Sequence, residues 1–155
     1  MIGGCYDGTI IKDVVYRSSK AFSSPTHFPC LLVSVSVESH QSADLVTISN
    51  FRRAKAPLKK IAKEGLGVEF LLHHARKMNG EELAKWFTEL REAYAFCESS
   101  GCQFVLSSGA SFPVEMVSGR SFDEILAELG IDSRSHWRGM ERWLSSVLAQ
   151  KVVVK

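Results

Sequence analysis

The sequence predicts an α/β protein built on a parallel sheet, and three observations lead to that fold class. From Cys30 onward, β-rich runs and helical patterns follow the order strand, strand, helix, strand, helix, strand, helix, helix. The strand runs do not alternate cleanly between apolar and polar residues, which favours strands buried on both faces. The chain has 155 residues, whereas a complete (β/α)8 barrel takes about 250. We therefore expect one domain, residues 1–155, with an open sheet or a barrel that lacks part of its ring.

The strands are predicted from four short apolar runs. They are CLLVSVSV (residues 30–37), ADLVTIS (43–49), LGVEFLL (66–72) and CQFVLSS (102–108). Residues 1–27 are weakly patterned and rich in Gly and Ser, so the pattern alone predicts an irregular N-terminal segment there. Because helical segments separate the later strands, right-handed crossovers should make those strands parallel.

The first two helices are predicted from their terminal residues. Pro57 suits a first helical turn and Gly65 suits the position just past a helix end, which predicts a short helix between them. Asn79, followed three residues later by Glu82, is typical of a capping box at the start of a longer helix. Apolar residues then recur at helical spacing up to Cys97.

The last two helices follow the fourth strand. Ser121 and Glu124 form a second cap-like pair, and Gly130 suits the end of that helix. A final helix is predicted from about Ser135. The tryptophans lie on helical stripes with Leu and Met, which favours a core or subunit-interface position over base stacking: Trp86, Trp137 and Trp143.

The composition excludes several classes of protein. The chain is 45% hydrophobic and 23% charged, which suits a globular domain. No apolar stretch approaches the roughly 20 residues that span a bilayer, and the N-terminus lacks the pattern of a secretory signal. We therefore expect a cytoplasmic protein without membrane association. The cysteines have no metal-binding spacing and are expected to be free, mostly buried thiols: Cys5, Cys30, Cys97 and Cys102.

Basic residues are clustered, although the net charge is only +2. One cluster contains Arg52, Arg53, Lys55, Lys59 and Lys60, and a second contains His73, His74, Arg76 and Lys77. Acidic residues concentrate instead on the middle helices. This separation is compatible with a polyanion bound to one face, and equally with ordinary solvated helix faces.

The polar residues that follow the strands predict no catalytic or metal site. His73 and His74 directly follow the third strand but lack the companion His-x-His and Asp of a dinuclear hydrolase. Ser107 and Ser108 match neither a nucleophile elbow nor a P-loop. Two readings of SSGAS remain open. Either small residues let the backbone approach an anion with a helix start behind them, or Gly109 only permits a turn.

Several short motifs, in their order and spacing, resemble one known family. They are VVYR (residues 14–17), SADLVTISN (42–50), VEF (68–70), SSGA (107–110), the R-S-x-D-x-x-x-x-x-L-G tract (120–130) and the closing helix (137–148). Together they resemble archaeal ribonuclease P protein component 3, the thirty-kilodalton subunit family shared with eukaryotes. The family usually has one or two further N-terminal βα units, so an incomplete barrel is expected. Val117 and Gly119 stand where the family commonly has Arg and Pro, and Arg120 is the basic residue retained there.

The resemblance implies a fold, a function and partners. The implied fold is a TIM-like barrel of the polymerase-and-histidinol-phosphatase-related type, without that superfamily's metal ligands. The implied function is a non-catalytic subunit of the ribonucleoprotein that removes the 5′ leader from precursor tRNA. Its partners would be the ribonuclease P RNA, which holds the catalytic magnesium ions, a second small protein subunit and, indirectly, precursor tRNA. No cofactor is expected in this chain itself.

The residues expected to serve this function are basic side chains and one loop. Predicted phosphate contacts are Arg52, Arg53, Lys55, Lys59, Lys60, His73, His74, Arg76, Lys77 and Arg120. Ser107, Ser108 and Gly109 are expected to shape the mouth of the barrel. Two alternatives remain open: a small metal-dependent phosphoesterase of the related barrel superfamily, and a truncated paralogue that acts as a protein-binding scaffold.

Overall fold

A computed structural model describes residues 15–20, 31–63, 65–110 and 112–151. Its centre is a five-stranded sheet in which neighbouring strands pair in parallel. The strands are β1 (Val15–Ser18), β2 (Leu31–Ser34), β3 (Leu45–Ile48), β4 (Gly67–Leu71) and β5 (Gln103–Ser107). Each strand lies beside its predecessor in the chain. The prediction of an α/β protein with a parallel sheet is therefore confirmed.

In the described part of the chain, four α-helices accompany the sheet. They are α1 (Phe51–Ile61), α2 (Gly80–Ser100), α3 (Gly119–Glu128) and α4 (Ser133–Lys151). Helices α1 and α2 are the crossovers from β3 to β4 and from β4 to β5, whereas residues 35–44 connect β2 to β3 through turns. Two short 3-10 helices, Leu72–Lys77 and Pro113–Glu115, follow β4 and β5.

The structure corrects two predicted helix starts and one unassigned segment. Helix α1 begins at Phe51, because the side chain of Asn50 caps the backbone N–H of Arg53, and Pro57 lies inside the helix. Helix α3 is capped by Ser118, three residues before the predicted cap. Within residues 1–27, the described part contains strand β1, which only the family resemblance had indicated. The predicted capping box of Asn79 and Glu82 is confirmed.

The two faces of the sheet are covered by different helices. The α1–α3 face presents Val46, Ile48, Val68, Phe70, Phe104 and Leu106, which pack with buried residues of α1, α2 and α3. The α4 face presents Leu31, Val33, Leu45 and Val105, which pack with Met140, Trp143 and Val147 of α4. The prediction of core tryptophans is confirmed for Trp86 and Trp143, which are 8% and 7% exposed.

Helix α4 crosses the N-terminal ends of the strands at close range. A Cβ atom on Gly67, the first residue of β4, would lie 2.3 Å from Cδ1 of Leu45 and 2.8 Å from Cζ2 of Trp143. The indole N–H of Trp143 also donates to the carbonyl oxygen of Gly65 at 2.8 Å. At the end of α4, Lys151 pairs with Asp44, just before β3. A glycine at position 67 therefore gives the helix room to pack on the sheet.

Candidate nucleic-acid interface

The solvent side of α1 carries basic residues and no acidic residue. Phe51 and Leu58 are fully buried and attach the helix to the core. Five basic side chains are exposed, and the helix contains no acidic residue: Arg52, Arg53, Lys55, Lys59 and Lys60. At 100° per residue, four of the five point away from Leu58. We call these four the α1 cationic face: Arg52, Arg53, Lys59 and Lys60.

Within the described ranges, one ion pair reaches this face. Nη2 of Arg52 lies 3.5 Å from Oε1 of Glu92 on α2, and both side chains are substantially exposed. A surface pair of this kind contributes about 0–1 kcal/mol. Arg53, Lys59 and Lys60 make no ion pair with any residue that the structure describes. The α1 cationic face therefore keeps most of its positive potential toward solvent.

The position of the two arginines is unfavourable for the helix itself. Cations are stabilising near the C-terminus of a helix and unfavourable near its N-terminus. Lys59 and Lys60 lie in the last turn, where the helix dipole favours them. Arg52 and Arg53 lie in the first turn, which has no acidic residue. Two carboxylates of α2 compensate this turn in part: Oε2 of Glu89 accepts a hydrogen bond from the backbone N–H of Phe51 at 3.1 Å, and Glu92 pairs with Arg52. Arg53 has no ion-pair partner among the described residues.

The second predicted cluster lies in the 3-10 helix that follows β4. The rings of His73 and His74 are 4.0 Å apart between centroids. Burial, and secondarily the neighbouring His73, lowers the pKa of His74, so this ring is neutral at physiological pH. It can therefore donate a hydrogen bond to a phosphate but supplies no charge. Arg76 donates to the backbone carbonyl of Glu115, and Lys77 is exposed.

The first turn of α1 and this 3-10 helix lie at the same edge of the sheet. Ile48 pairs in register with Phe70, so β3 and β4 end side by side. Arg52 and Arg53 follow the end of β3, and His73 and His74 follow the end of β4. Ligand sites of parallel α/β folds are found at this carboxyl edge. The structure therefore brings the first-turn arginines of α1 and the basic residues of the 3-10 helix to the carboxyl edge of the sheet.

Arg120 makes its described side-chain contact within α3. Its Nε donates to Oε1 of Glu124 on the same helix at 3.1 Å, and its side chain is 88% exposed. Within the described ranges, no hydrogen bond or ion pair joins Arg120 to Ser107, Ser108 or Gly109.

The loop formed by Ser107, Ser108 and Gly109 is tied to the protein rather than open to an anion. Ser107 ends β5 and is 2% exposed, and the carbonyl of Ser108 accepts a hydrogen bond from the backbone N–H of His73 at 3.1 Å. Gly109 has φ +64°, and a Cβ atom there would lie 2.3 Å from Nδ1 of His73. The next α-helix, α3, begins only at Gly119, and the 3-10 helix before it has three residues, too few to form an anion site at its N-terminus. The geometry favours the reading in which Gly109 permits a turn.

Beneath this loop lies a buried hydrogen-bonded group, centred on the carboxyl of Glu69, that the sequence patterns did not predict. Glu69 of β4 is 0% exposed. Its Oε2 accepts a hydrogen bond from Thr47 Oγ1 at 2.6 Å, and its Oε1 accepts one from Ser107 Oγ at 2.5 Å. Thr47 is the register partner of Glu69 on β3. The available signal was an acidic residue inside an otherwise apolar strand, which requires a polar partner when it is buried.

Other predicted features have varied outcomes. Cys97 and Cys102 are free and buried, as predicted, and burial raises the pKa of the Cys97 thiol. Cys5 and Cys30 lie outside the described residues. In the described part of the chain, no three His, Cys, Asp or Glu side chains are grouped to hold a metal ion. None of the helices described has the length and apolar character needed to cross a bilayer.

Comparison with known proteins adds no identification. Neither a family model, nor a curated protein, nor a solved structure matches this chain.

Proposed function

We propose that the protein binds the phosphate backbone of RNA through the α1 cationic face. The observation that carries this proposal is the set of four exposed cations on one side of a helix that contains no acidic residue. Three of them make no ion pair with a described residue: Arg53, Lys59 and Lys60. Exposed cations without internal partners are expected where a polyanion binds.

The binding would depend strongly on salt and weakly on RNA sequence. Arg52 and Lys60 are eight residues apart, or about 12 Å along the helix. Arginine and lysine over such a span contact backbone phosphates, which carry no sequence information. Arg76 and Lys77 would extend the contact along the carboxyl edge of the sheet. Each neutralised phosphate adds about 0.7–0.9 to the negative slope of log affinity against log salt.

The finer proposal is a non-catalytic subunit of ribonuclease P, which rests on the family resemblance described above. It is supported by the strand order, because a barrel also places each strand beside its predecessor. An incomplete TIM-like barrel of the polymerase-and-histidinol-phosphatase-related type is the corresponding fold. In this proposal the RNA subunit holds the catalytic magnesium ions, and the complex removes the 5′ leader of precursor tRNA in the cytoplasm.

A second small protein subunit has a suitable docking segment after β5. Phe112, Val114 and Met116 are 66%, 90% and 43% exposed. Three large apolar side chains exposed within five residues are unusual for a free surface and are typical of an interaction site. We include this segment in the proposed function as the contact with the protein partner.

RNA binding is tested with two double variants of equal charge change. Arg52→Gln/Arg53→Gln removes two cations from the α1 cationic face, and Lys85→Gln/Arg91→Gln removes two cations from α2. Titration of a fluorescent structured RNA at several salt concentrations should show the α1 variant binding about 10-fold more weakly, with a salt slope reduced by about 1.4–1.8. The α2 variant should change the affinity less than about 2-fold. Unchanged affinity and slope in the α1 variant would contradict the proposal.

The ribonuclease P assignment needs its own test. The protein is added to a reconstituted ribonuclease P that lacks this subunit, and cleavage of precursor tRNA is measured. We expect the wild type to restore cleavage, and the α1 double variant to restore less. Failure of the wild type would favour a scaffold role. A stoichiometric bound metal with phosphoesterase activity in the absence of RNA would favour the enzyme alternative.

A further inference from the structure

A row of arginines follows the exposed side of α4. Arg134, Arg138 and Arg142 are spaced four residues apart, which places them about 6 Å apart along one side of the helix. All three are exposed. The opposite side of α4 carries the buried residues Met140 and Trp143, which pack on the sheet. Because the helix is anchored by its apolar side, the arginines have a fixed direction toward solvent.

Few acidic residues lie near the row. Asp132, just before α4, interacts electrostatically with Arg134 and Arg138 without forming an ion pair. None of the three arginines makes an ion pair with a residue in the described ranges. The single acidic residue of α4 is Glu141, and Lys151 at the end of the helix is already paired with Asp44. By contrast, α2 has five acidic and two basic residues. Among the described α-helices, the excess of positive charge therefore lies on α1 and on α4.

The surface beside the row is recessed. A cavity of about 340 Å³ is lined by Ser135, Arg138, Glu141 and Arg142. This volume is near the lower limit for small-molecule sites, and the lining combines two guanidinium groups with one hydroxyl and one carboxylate. The planar guanidinium group donates two parallel hydrogen bonds to a phosphate, which makes arginine better suited than lysine to this ligand.

We propose that Arg134, Arg138 and Arg142 form a second RNA-backbone site, so that the protein bridges two RNA segments. This inference rests on the proposed function, namely RNA binding by the α1 cationic face. Helix α1 packs on the α1–α3 face of the sheet and α4 packs on the other face. The two cationic surfaces therefore point away from each other, and one straight RNA segment cannot contact both. The protein holds one segment on each side of its sheet.

The test measures how many RNA duplexes one protein molecule holds. A short RNA duplex is immobilised, the full-length protein is added, and capture of a second, fluorescent duplex is recorded. Sedimentation of the complex in solution gives the ratio of protein to RNA. The variants are Arg134→Gln/Arg138→Gln/Arg142→Gln, the α1 double variant Arg52→Gln/Arg53→Gln, and the control Lys85→Gln/Arg91→Gln.

We expect the wild type and the control to hold two duplexes per protein molecule. The α4 triple variant should hold one and lose at least about 10-fold in captured fluorescence. A triple Arg→Lys variant keeps the charge and should restore most of the capture. If the triple Gln variant does not fold, Arg138→Gln alone changes one exposed side chain and should weaken the capture in the same direction.

Failure of this inference can be distinguished from failure of the proposed function. A wild type that holds a single duplex, with the α4 variant equally tight, overturns the α4 site and leaves the α1 proposal standing. Loss of binding in the α4 variant with no effect in the α1 variant overturns the α1 proposal instead. A wild type that binds no duplex overturns both.

Discussion

The carboxyl group of Glu69 and the cations of the α1 cationic face lie in opposite environments. Glu69 is fully buried, and both of its carboxyl oxygens accept hydrogen bonds from hydroxyl groups on neighbouring strands. The cations of α1 are exposed, and three of the four have no ion-pair partner among the described residues. The buried group is satisfied inside the protein, whereas the exposed groups are left for a ligand. Stability and binding should therefore depend on different residues.

The largest effect is expected from removing the buried carboxyl group. Glu69→Ala leaves the hydroxyl groups of Thr47 and Ser107 without this acceptor and opens a cavity, which should lower the free energy of unfolding by about 3 kcal/mol. Urea denaturation followed by circular dichroism measures this change. RNA affinity, measured where the variant is still folded, should stay within about 2-fold.

The control for this prediction is Glu81→Ala, which removes an exposed carboxylate from the first turn of α2. It should cost less than about 1 kcal/mol, because its pair with Lys85 is a surface pair. A loss below about 1 kcal/mol for Glu69→Ala would mean that the buried cluster does not hold the strands together.

A smaller effect is expected from His136, which, unlike Glu69, is buried with one ring nitrogen that has no hydrogen-bond partner among the described residues. His136 on α4 is 7% exposed, and its Nε2 has no hydrogen-bond partner in the part of the chain described. Burial lowers the pKa of His136 below its ordinary value of about 6.5. The unfolded chain therefore binds a proton at a higher pH than the folded protein does. Stability should be full above about pH 6.5 and fall as the pH decreases below it.

The His136 contribution is measured by urea denaturation between about pH 7 and pH 5. The slope from this residue has an upper limit of about 1.4 kcal/mol per pH unit. His136→Phe keeps a ring beside Phe104 and Trp137 and should flatten the profile. His74→Gln is the comparison variant. Because the pKa of His74 is also lowered, it should remove a separate part of the same pH dependence. An unchanged profile in His136→Phe would contradict the assignment.

The smallest effects concern the two ends of α1. Arg53→Gln removes a cation from the first turn and should raise the free energy of unfolding by about 0.3 kcal/mol, while Lys60→Gln in the last turn should lower it by a similar amount. Both substitutions should weaken RNA binding by about 2- to 5-fold, since each removes one phosphate contact. If the two substitutions change the free energy of unfolding in opposite directions but both weaken RNA binding, these residues affect folding and binding independently. Equal stability changes would argue against a dipole effect.

Parts of the molecule were predictable because their signals are local. The apolar runs placed β2–β5 within one to three residues, and the Asn79–Glu82 capping box was found as predicted. The predicted start of α1 is wrong. Pro57 is typical of a first helical turn, but Asn50 supplies the cap and Pro57 lies inside the helix. Basic residues on α1 were found from composition, since their exposure follows from helical spacing.

Local patterns in the sequence are sufficient to predict the fold class, the helix-forming segments and the cationic character of α1, because spacing and side-chain type set these properties within a few turns of chain. The contacts of Glu69 with Thr47 and Ser107 depend on the folded sheet, since the three residues come from three strands separated by whole helices. The folded structure also packs α4 on the face opposite α1, so that the two cationic surfaces point away from each other. These relations depend on strand register and on the crossing of α4 over Gly67, which no local pattern specifies.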